Sequence, residues 1–271
     1  MARRRSEPDG SRALLPDERL WELEDRYRGS FGPPSISYGT VRDLADSAVT
    51  IPGLAGANHD MKDLQRCWML KAVLGSVTSG GRILEIGAGE PLVAGILSRM
   101  GFAVTVVDPY DGSGNGPREF EQFSLAYPGL EIVRDSFPPA SDLGAGFSAV
   151  YSVSVLEHID ATELGALMEG IAEHLDPLSG RSIHAIDHVV AGFSADSHRE
   201  RLEVIAGACG IPPPALAETV SDLERDPDTY WVSAEAHERW RGDLPYEQYP
   251  MRRIASIQLA TGPPRSAAPP A

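Results

Sequence analysis

Arg82-Ile83-Leu84-Glu85-Ile86-Gly87-Ala88-Gly89-Glu90-Pro91, followed by Leu92-Val93-Ala94-Gly95-Ile96-Leu97-Ser98-Arg99-Met100, is the stretch on which the fold turns. A short apolar run ends in two closely spaced glycines and passes at once into an apolar segment of helical length, which predicts strand, tight turn and helix. Gly87 and Gly89 allow the backbone to turn sharply and approach a ligand, and the helix that follows directs its first amides at that ligand. Something nucleotide-like is implied. A dinucleotide fingerprint requires a third glycine at position 92, where this chain has Leu92 preceded by Pro91. Glu85 before the turn and Glu90 after Gly89 add negative charge, which repels a pyrophosphate and suits a cation such as a sulfonium or an α-amino group.

On either side of this turn the pattern repeats. Residues 103–107, 131–133, 147–153, 182–186 and 253–259 are strand-like, and amphipathic or apolar segments stand between them. Pro117 is placed as a first helical residue before 119–127, and Asp160 with Glu163 reads as a capping pair before 164–175. Strands alternating with helices at this spacing predict βαβ units, hence an α/β fold with a doubly wound, mostly parallel sheet. Residues 17–28 and 58–77 carry helical periodicity and are read as an N-terminal helical cap whose Trp21, Tyr27, Tyr38 and Trp68 either cover the site or pack. The expected organisation is a flexible segment and cap over 1–57, a ligand-binding domain over 58–261 and a proline-rich tail over 262–271.

The strand 103–107 ends in Asp108-Pro109, placing a carboxylate where two ribose hydroxyls can donate to it. The strand 131–133 leads into Arg134-Asp135-Ser136-Phe137, which offers an acceptor for an adenine amino group and an aromatic face beside it. The strand 147–153 runs into Ser154-Val155-Leu156-Glu157-His158-Ile159.

Over residues 60–190 the chain resembles the class I S-adenosylmethionine-dependent methyltransferases, most of all the type 11 branch that includes quinone-biosynthesis enzymes. The resemblance rests on Glu85-Ile86-Gly87-Ala88-Gly89 as the glycine-rich loop, Asp108 as the ribose acid, Asp135 as the adenine-contacting acid and 154–159 as the segment lining donor and acceptor. It implies a seven-stranded sheet with an antiparallel final strand, and methyl transfer from S-adenosylmethionine. Glu85, Gly87, Ala88, Gly89, Asp108, Pro109, Asp135, Ser136, Phe137 and Ser154 are the implied donor-binding residues. The chain departs from the family in having Pro91 at the usual third loop glycine, and in a distinctive C-terminal region.

Methyl transfer is an in-line displacement, so the protein mainly holds nucleophile, methyl and sulfur collinear; a base is needed only when the acceptor must lose a proton. Candidate proton-transfer residues are His158 after the fourth strand, Asp187 and His188 at the end of the fifth, and His237 in the aromatic segment Tyr230–Gly242. Each has a structural alternative: Asp187 can orient an imidazole, and Trp231 and Trp240 can simply pack. No metal-ligand spacing is present. The expected function is methylation of an oxygen or nitrogen of a small molecule, in bacterial secondary metabolism or sugar modification. A carbon acceptor, a non-methylating S-adenosylmethionine-binding protein (cyclase-like or regulatory) and, less favoured, an NAD-dependent oxidoreductase are the alternatives.

The 271 residues carry 24 Lys+Arg against 39 Asp+Glu, a formal charge of -15. That excludes a protein-wide positive field for nucleic acid or an anionic lipid surface. No apolar run approaches the roughly 20 residues that span a bilayer. The basic residues Arg3, Arg4 and Arg5 are followed by polar sequence rather than by the apolar core of a signal peptide, so a cytoplasmic location is expected. The two cysteines, Cys67 and Cys209, form no CxxC pattern. A small-molecule partner, and a monomer or homodimer, are expected.

Overall fold

Strands apolar at every position need cover on both faces, and the chain supplies it from two helical layers. The computed structural model describes residues 17–31, 35–113, 116–191, 194–232, 234, 237, 238, 245–249 and 253–262. The N-terminal 16 residues, most of the tail, and Ser233, Glu235, Ala236, Arg239, Trp240, Arg241 and Gly242 of the aromatic segment lie outside the described residues. One sheet is built from β1 (Ser35–Tyr38), β2 (Arg82–Ile86), β3 (Ala103–Val107), β4 (Glu131–Val133), β5 (Ala149–Val153), β6 (Arg181–Ala191) and β7 (Arg253–Thr261). Their order across the sheet is β1-β7-β6-β5-β2-β3-β4. β2 to β6 run parallel, while β7 is antiparallel to both β6 and β1.

The helices are α1 (Asp17–Tyr27), α2 (Val41–Thr50), α3 (Pro52–Ala55), α4 (Met61–Ser76), α5 (Leu92–Arg99), α6 (Phe120–Ala126), α7 (Ala161–His174), α8 (Ala195–Ala208) and α9 (Pro213–Arg225). Alternation along the strands splits the core in two. Ile83, Val104, Val106, Tyr151, Ile183 and Ala185 pack under α1, α3, α4 and α5, whereas Leu84, Ile86, Val150, Ile186, Ile257 and Leu259 pack under α7, α8 and α9. Among the described residues, no helix is long and apolar enough to cross a membrane.

Three local expectations differ from the structure. The N-terminal cap is not only helical: Ser35–Tyr38 pairs with β7, Ile36 opposite Leu259, and closes that edge of the sheet. A four-residue strand is too short to show its period against the Gly/Pro break before it. α6 begins at Phe120 with Glu119 as its N-cap, leaving Pro117 in the preceding loop. Asp160 is the N-cap of α7 but its side chain makes no capping bond; a true capping box stands at Thr40 and Asp43, where each side chain accepts the other's backbone N–H. Cys67 and Cys209 are both free and buried, which pushes each thiol up to about 12 and leaves them unreactive.

Candidate functional site

β2 pairs with β3 on one side and β5 on the other, so the chain reverses direction of winding there and a crevice opens beyond the strand carboxyl ends. Gly87 and Gly89 form its floor with φ of +65° and +57°. A Cβ on Gly87 would stand 2.6 Å from Val155 Cγ2, so the turn from β2 abuts the segment leaving β5. Gly87→Ala combines a left-handed backbone penalty of about 1–2 kcal/mol with that overlap. We expect a loss of about 2 kcal/mol or more in denaturant unfolding; an unchanged midpoint would mean that the turn relaxes freely.

Asp108, buried at the end of β3, latches the crevice. Its Oδ2 accepts the Gly89 N–H at 2.9 Å and its Oδ1 the Tyr110 N–H at 2.8 Å, while the Tyr110 hydroxyl donates to the Gly89 carbonyl at 3.0 Å. Burial raises the Asp108 pKa, and the two backbone N–H bonds oppose that rise. Tyr110, fully buried and at φ +45°, packs on Phe120 and Phe123. Pro109 between them is half-buried, with its carbonyl 3.4 Å from Arg134 Nε, and Ala88 packs on the core below the glycine turn.

Beneath the turn lies Glu85, fully buried, its Oε2 without a hydrogen-bond partner. Burial pushes its pKa up to about 7, and the Tyr151 hydroxyl and the Arg66 guanidinium pull the other way. Arg66, from α4, is itself buried with Nη1 unpartnered. Sequence reading missed Arg66, because a charge inside a periodic helix gives no sign that tertiary packing will bury it beside the glycine turn.

The remaining donor candidates are placed differently. Both Asp135 oxygens are engaged, by the backbone N–H groups of Ser136 and Ala140 at 2.8 Å each. Ser136 is exposed, and Phe137 lies against α7, its ring 5.5 Å from that of His174.

At the ends of β5 and β6 a second constellation forms. Ser154, at φ +53°, has its hydroxyl 2.9 Å from Gln65 Oε1 and 3.0 Å from Asp187 Oδ1, and Gln65 Nε2 donates to the same Asp187 oxygen at 2.9 Å. Glu157 Oε1 accepts the Asp187 N–H at 2.8 Å, leaving Oε2 buried and unpartnered. Burial, then the Asp187 charge, raise the Glu157 pKa well above the usual range. His158 reaches the surface beside this group. Burial holds its imidazole below the ordinary value, with Asp187 opposing and Lys62 and Arg201 reinforcing. His198, on α8, is held to the Asp187 backbone and lies within electrostatic reach of His158; it and Gln65 were not singled out in the sequence.

His188 and His237 are not brought to this group. β6 continues to Ala191, so Asp187 and His188 point to opposite faces: His188 is buried under α8, its ring 6.5 Å from that of His198, and burial drops its pKa to about 4. His237 is buried among the rings of Tyr246 and Tyr249, at 5.8 and 4.9 Å. His184 bridges the Ser152 and Ser182 hydroxyls at 2.8 and 2.7 Å, and burial lowers it to about 3, so it packs as a neutral ring. Tyr27 and Trp68 likewise pack against the core, and Tyr38 donates to Asp226 at 3.0 Å. Among the described residues, no group of three or more His, Cys, Asp or Glu is arranged to hold a metal ion.

Five parallel strands, a winding reversal between β2 and β5 and an antiparallel strand beyond β6 reproduce the sheet that the sequence resemblance implied. The chain has the class I methyltransferase fold. Within that fold, the edge beyond β7 is filled from the N-terminus, by β1. No protein-family model and no curated protein sequence matches the chain. Among solved structures it is similar to a TehB-like SAM-dependent methyltransferase from Corynebacterium glutamicum, at 18% identity and a TM-score of 0.42, over 62% of this chain and 83% of that one. It is also similar to phosphoethanolamine N-methyltransferase 2 of Haemonchus contortus, at 20% identity and a TM-score of 0.46, over 74% of this chain and 52% of that one. At these identities and TM-scores neither likeness bears on what this chain does.

Proposed function

We propose that this chain transfers the methyl group of S-adenosylmethionine to an oxygen or nitrogen of a small molecule, in bacterial secondary metabolism or sugar modification. The observation that carries the reading is one crevice holding two kinds of recognition. The Asp108 carboxylate stands at a strand end where ribose hydroxyls donate, and beside the glycine turn lie two buried, unpartnered atoms of opposite sign, Glu85 Oε2 and Arg66 Nη1. An α-amino group and an α-carboxylate satisfy both of those atoms, whereas a pyrophosphate meets Glu85 as a like charge.

S-adenosylmethionine supplies an electrophilic methyl on a sulfonium. The chain's own part is positioning: Asp108 and the Gly87–Gly89 turn fix the nucleoside end, and Glu85 and Arg66 fix the amino-acid end. Ser154 and its partners then border the place where the nucleophile must line up. Isothermal titration with S-adenosylhomocysteine and, separately, NADH tests this. Binding of the former in the micromolar range with no response to the latter is expected; a folded sample silent toward S-adenosylhomocysteine would withdraw the donor assignment and leave the fold alone.

A further inference from the structure

We propose that Asp187, held by Ser154 and Gln65 beside the glycine turn, is the subsite for the acceptor nucleophile, and that the nucleophile it takes is an amine nitrogen. The proposal rests on the donor reading above and narrows it from oxygen or nitrogen to nitrogen.

Position comes first. Ser154 directly follows β5 and precedes Val155, the residue whose side chain a Cβ on Gly87 would strike. The Ser154–Gln65–Asp187 network is therefore next to the turn that would hold the donor. Ser154 is a non-glycine residue at positive φ, a conformation that persists only where its surroundings impose it. Its two hydrogen-bonding neighbours, on α4 and β6, hold the hydroxyl in place. Gln65, fully buried, acts as a positioning residue, since its amide fixes both Ser154 and the Asp187 carboxylate.

Charge decides the class of nucleophile. Both side-chain bonds to the Asp187 carboxylate come from neutral groups, Gln65 and Ser154, and both fall on Oδ1. Among the described residues, the ion pairs formed leave Asp187 without a Lys or Arg at salt-bridge distance, and Arg201 is committed to the Ile159 carbonyl. Next to it, Glu157 is nine-tenths buried with Oε2 unpartnered, on the same carboxyl that accepts the Asp187 N–H. A second hydrogen-bonding atom thus stands at the same strand end.

When a neutral amine attacks, the nitrogen lone pair forms the new N–C bond, the C–S bond breaks and its electron pair stays on sulfur. The positive charge moves from sulfur to nitrogen, and the methylated ammonium then gives a proton to water. A fixed carboxylate beside that nitrogen stabilises charge that develops only in the transition state. An oxyanion attacking at the same place meets a like charge.

Sinefungin carries an amino-bearing carbon in place of the methylsulfonium, so its amine stands where the transferred methyl and the incoming nucleophile meet; S-adenosylhomocysteine lacks that amine. Calorimetry with both ligands is expected to show sinefungin binding roughly 10- to 100-fold tighter to the wild-type chain, the range of a charge-assisted hydrogen bond. In Asp187→Asn the advantage is expected to fall to a few-fold or less, with S-adenosylhomocysteine affinity held within about twofold. Should Asp187→Asn fail to fold by thermal melting, Asp187→Ser takes its place, because the half-buried position tolerates a smaller polar side chain. An equal preference for sinefungin in wild type and variant, or none in wild type, overturns the amine subsite while leaving the donor site standing. Failure of S-adenosylhomocysteine to bind the wild type overturns both.

Discussion

Asp108→Asn is expected to weaken S-adenosylhomocysteine binding by roughly 10- to 100-fold and to lower the unfolding midpoint at the same time. The two effects share a cause. Each Asp108 oxygen accepts a backbone N–H, from Gly89 and from Tyr110, and an amide can offer an acceptor to only one of them. The other N–H then faces an –NH2 group in a buried place, at a cost of about 1–3 kcal/mol. The turn that Asp108 holds closed is also the turn the donor must rest on, so binding suffers twice: from the slackened Gly89 backbone and from the loss of a charged acceptor for ribose hydroxyls. Calorimetry and a denaturant melt on the same sample check both parts. A variant that loses stability yet keeps its affinity would make Asp108 a structural latch only.

Glu85→Gln is expected to do the reverse for stability and the same for binding. Burial raises the Glu85 pKa from 4.5 to about 7. A carboxyl whose folded pKa lies above its unfolded one contributes stability in full below pH 4.5, and that contribution is lost as pH climbs to 7 and beyond. The loss amounts to on the order of 3 kcal/mol once Glu85 is ionised. Gln does not titrate, so the melting temperature of the variant relative to wild type is expected to rise between pH 5 and 8, by roughly 2–4 °C per kcal/mol. A difference that stays flat across that range would mean Glu85 is solvated or fully compensated by Arg66.

The same substitution removes the anion that would meet the donor's α-amino group. S-adenosylhomocysteine affinity is therefore expected to drop in Glu85→Gln, and in the wild type to improve as pH rises through about 7 and Glu85 ionises. A buried carboxylate that costs stability while gaining a ligand is the trade-off expected of a binding site rather than of a core.

Period and punctuation alone made most of the sheet legible. β2, β3 and β4 and the start of β7 lie where short, mostly apolar runs placed them, because strands covered on both faces are largely apolar. The glycine turn was equally clear, since φ of +65° and +57° at positions 87 and 89 is what two glycines beside a strand end announce. β1 was not, because four residues carry too little pattern and its pairing with β7 joins positions more than 200 apart in the chain. For the same reason the length of β6 was underestimated: its last residues are strand only because β7 pairs with them, and that extension moved His188 to the far face from Asp187.

The composition and the stretch from Glu85 to Asp108 thus determined, by themselves, an acidic α/β chain with a glycine turn and a carboxylate at the ends of neighbouring strands. Those features depend on local backbone preference and on apolar spacing, both written residue by residue. Which polar groups meet in the crevice was decided only by the tertiary structure. Arg66, Gln65 and Glu157 sit on helical segments whose sequence does not say which way they face, and their burial beside Glu85 and Asp187 exists only once α4 lies across the sheet. Desolvation and charge pairing act between residues distant in sequence, so the chemistry of the site emerges at the last level of folding.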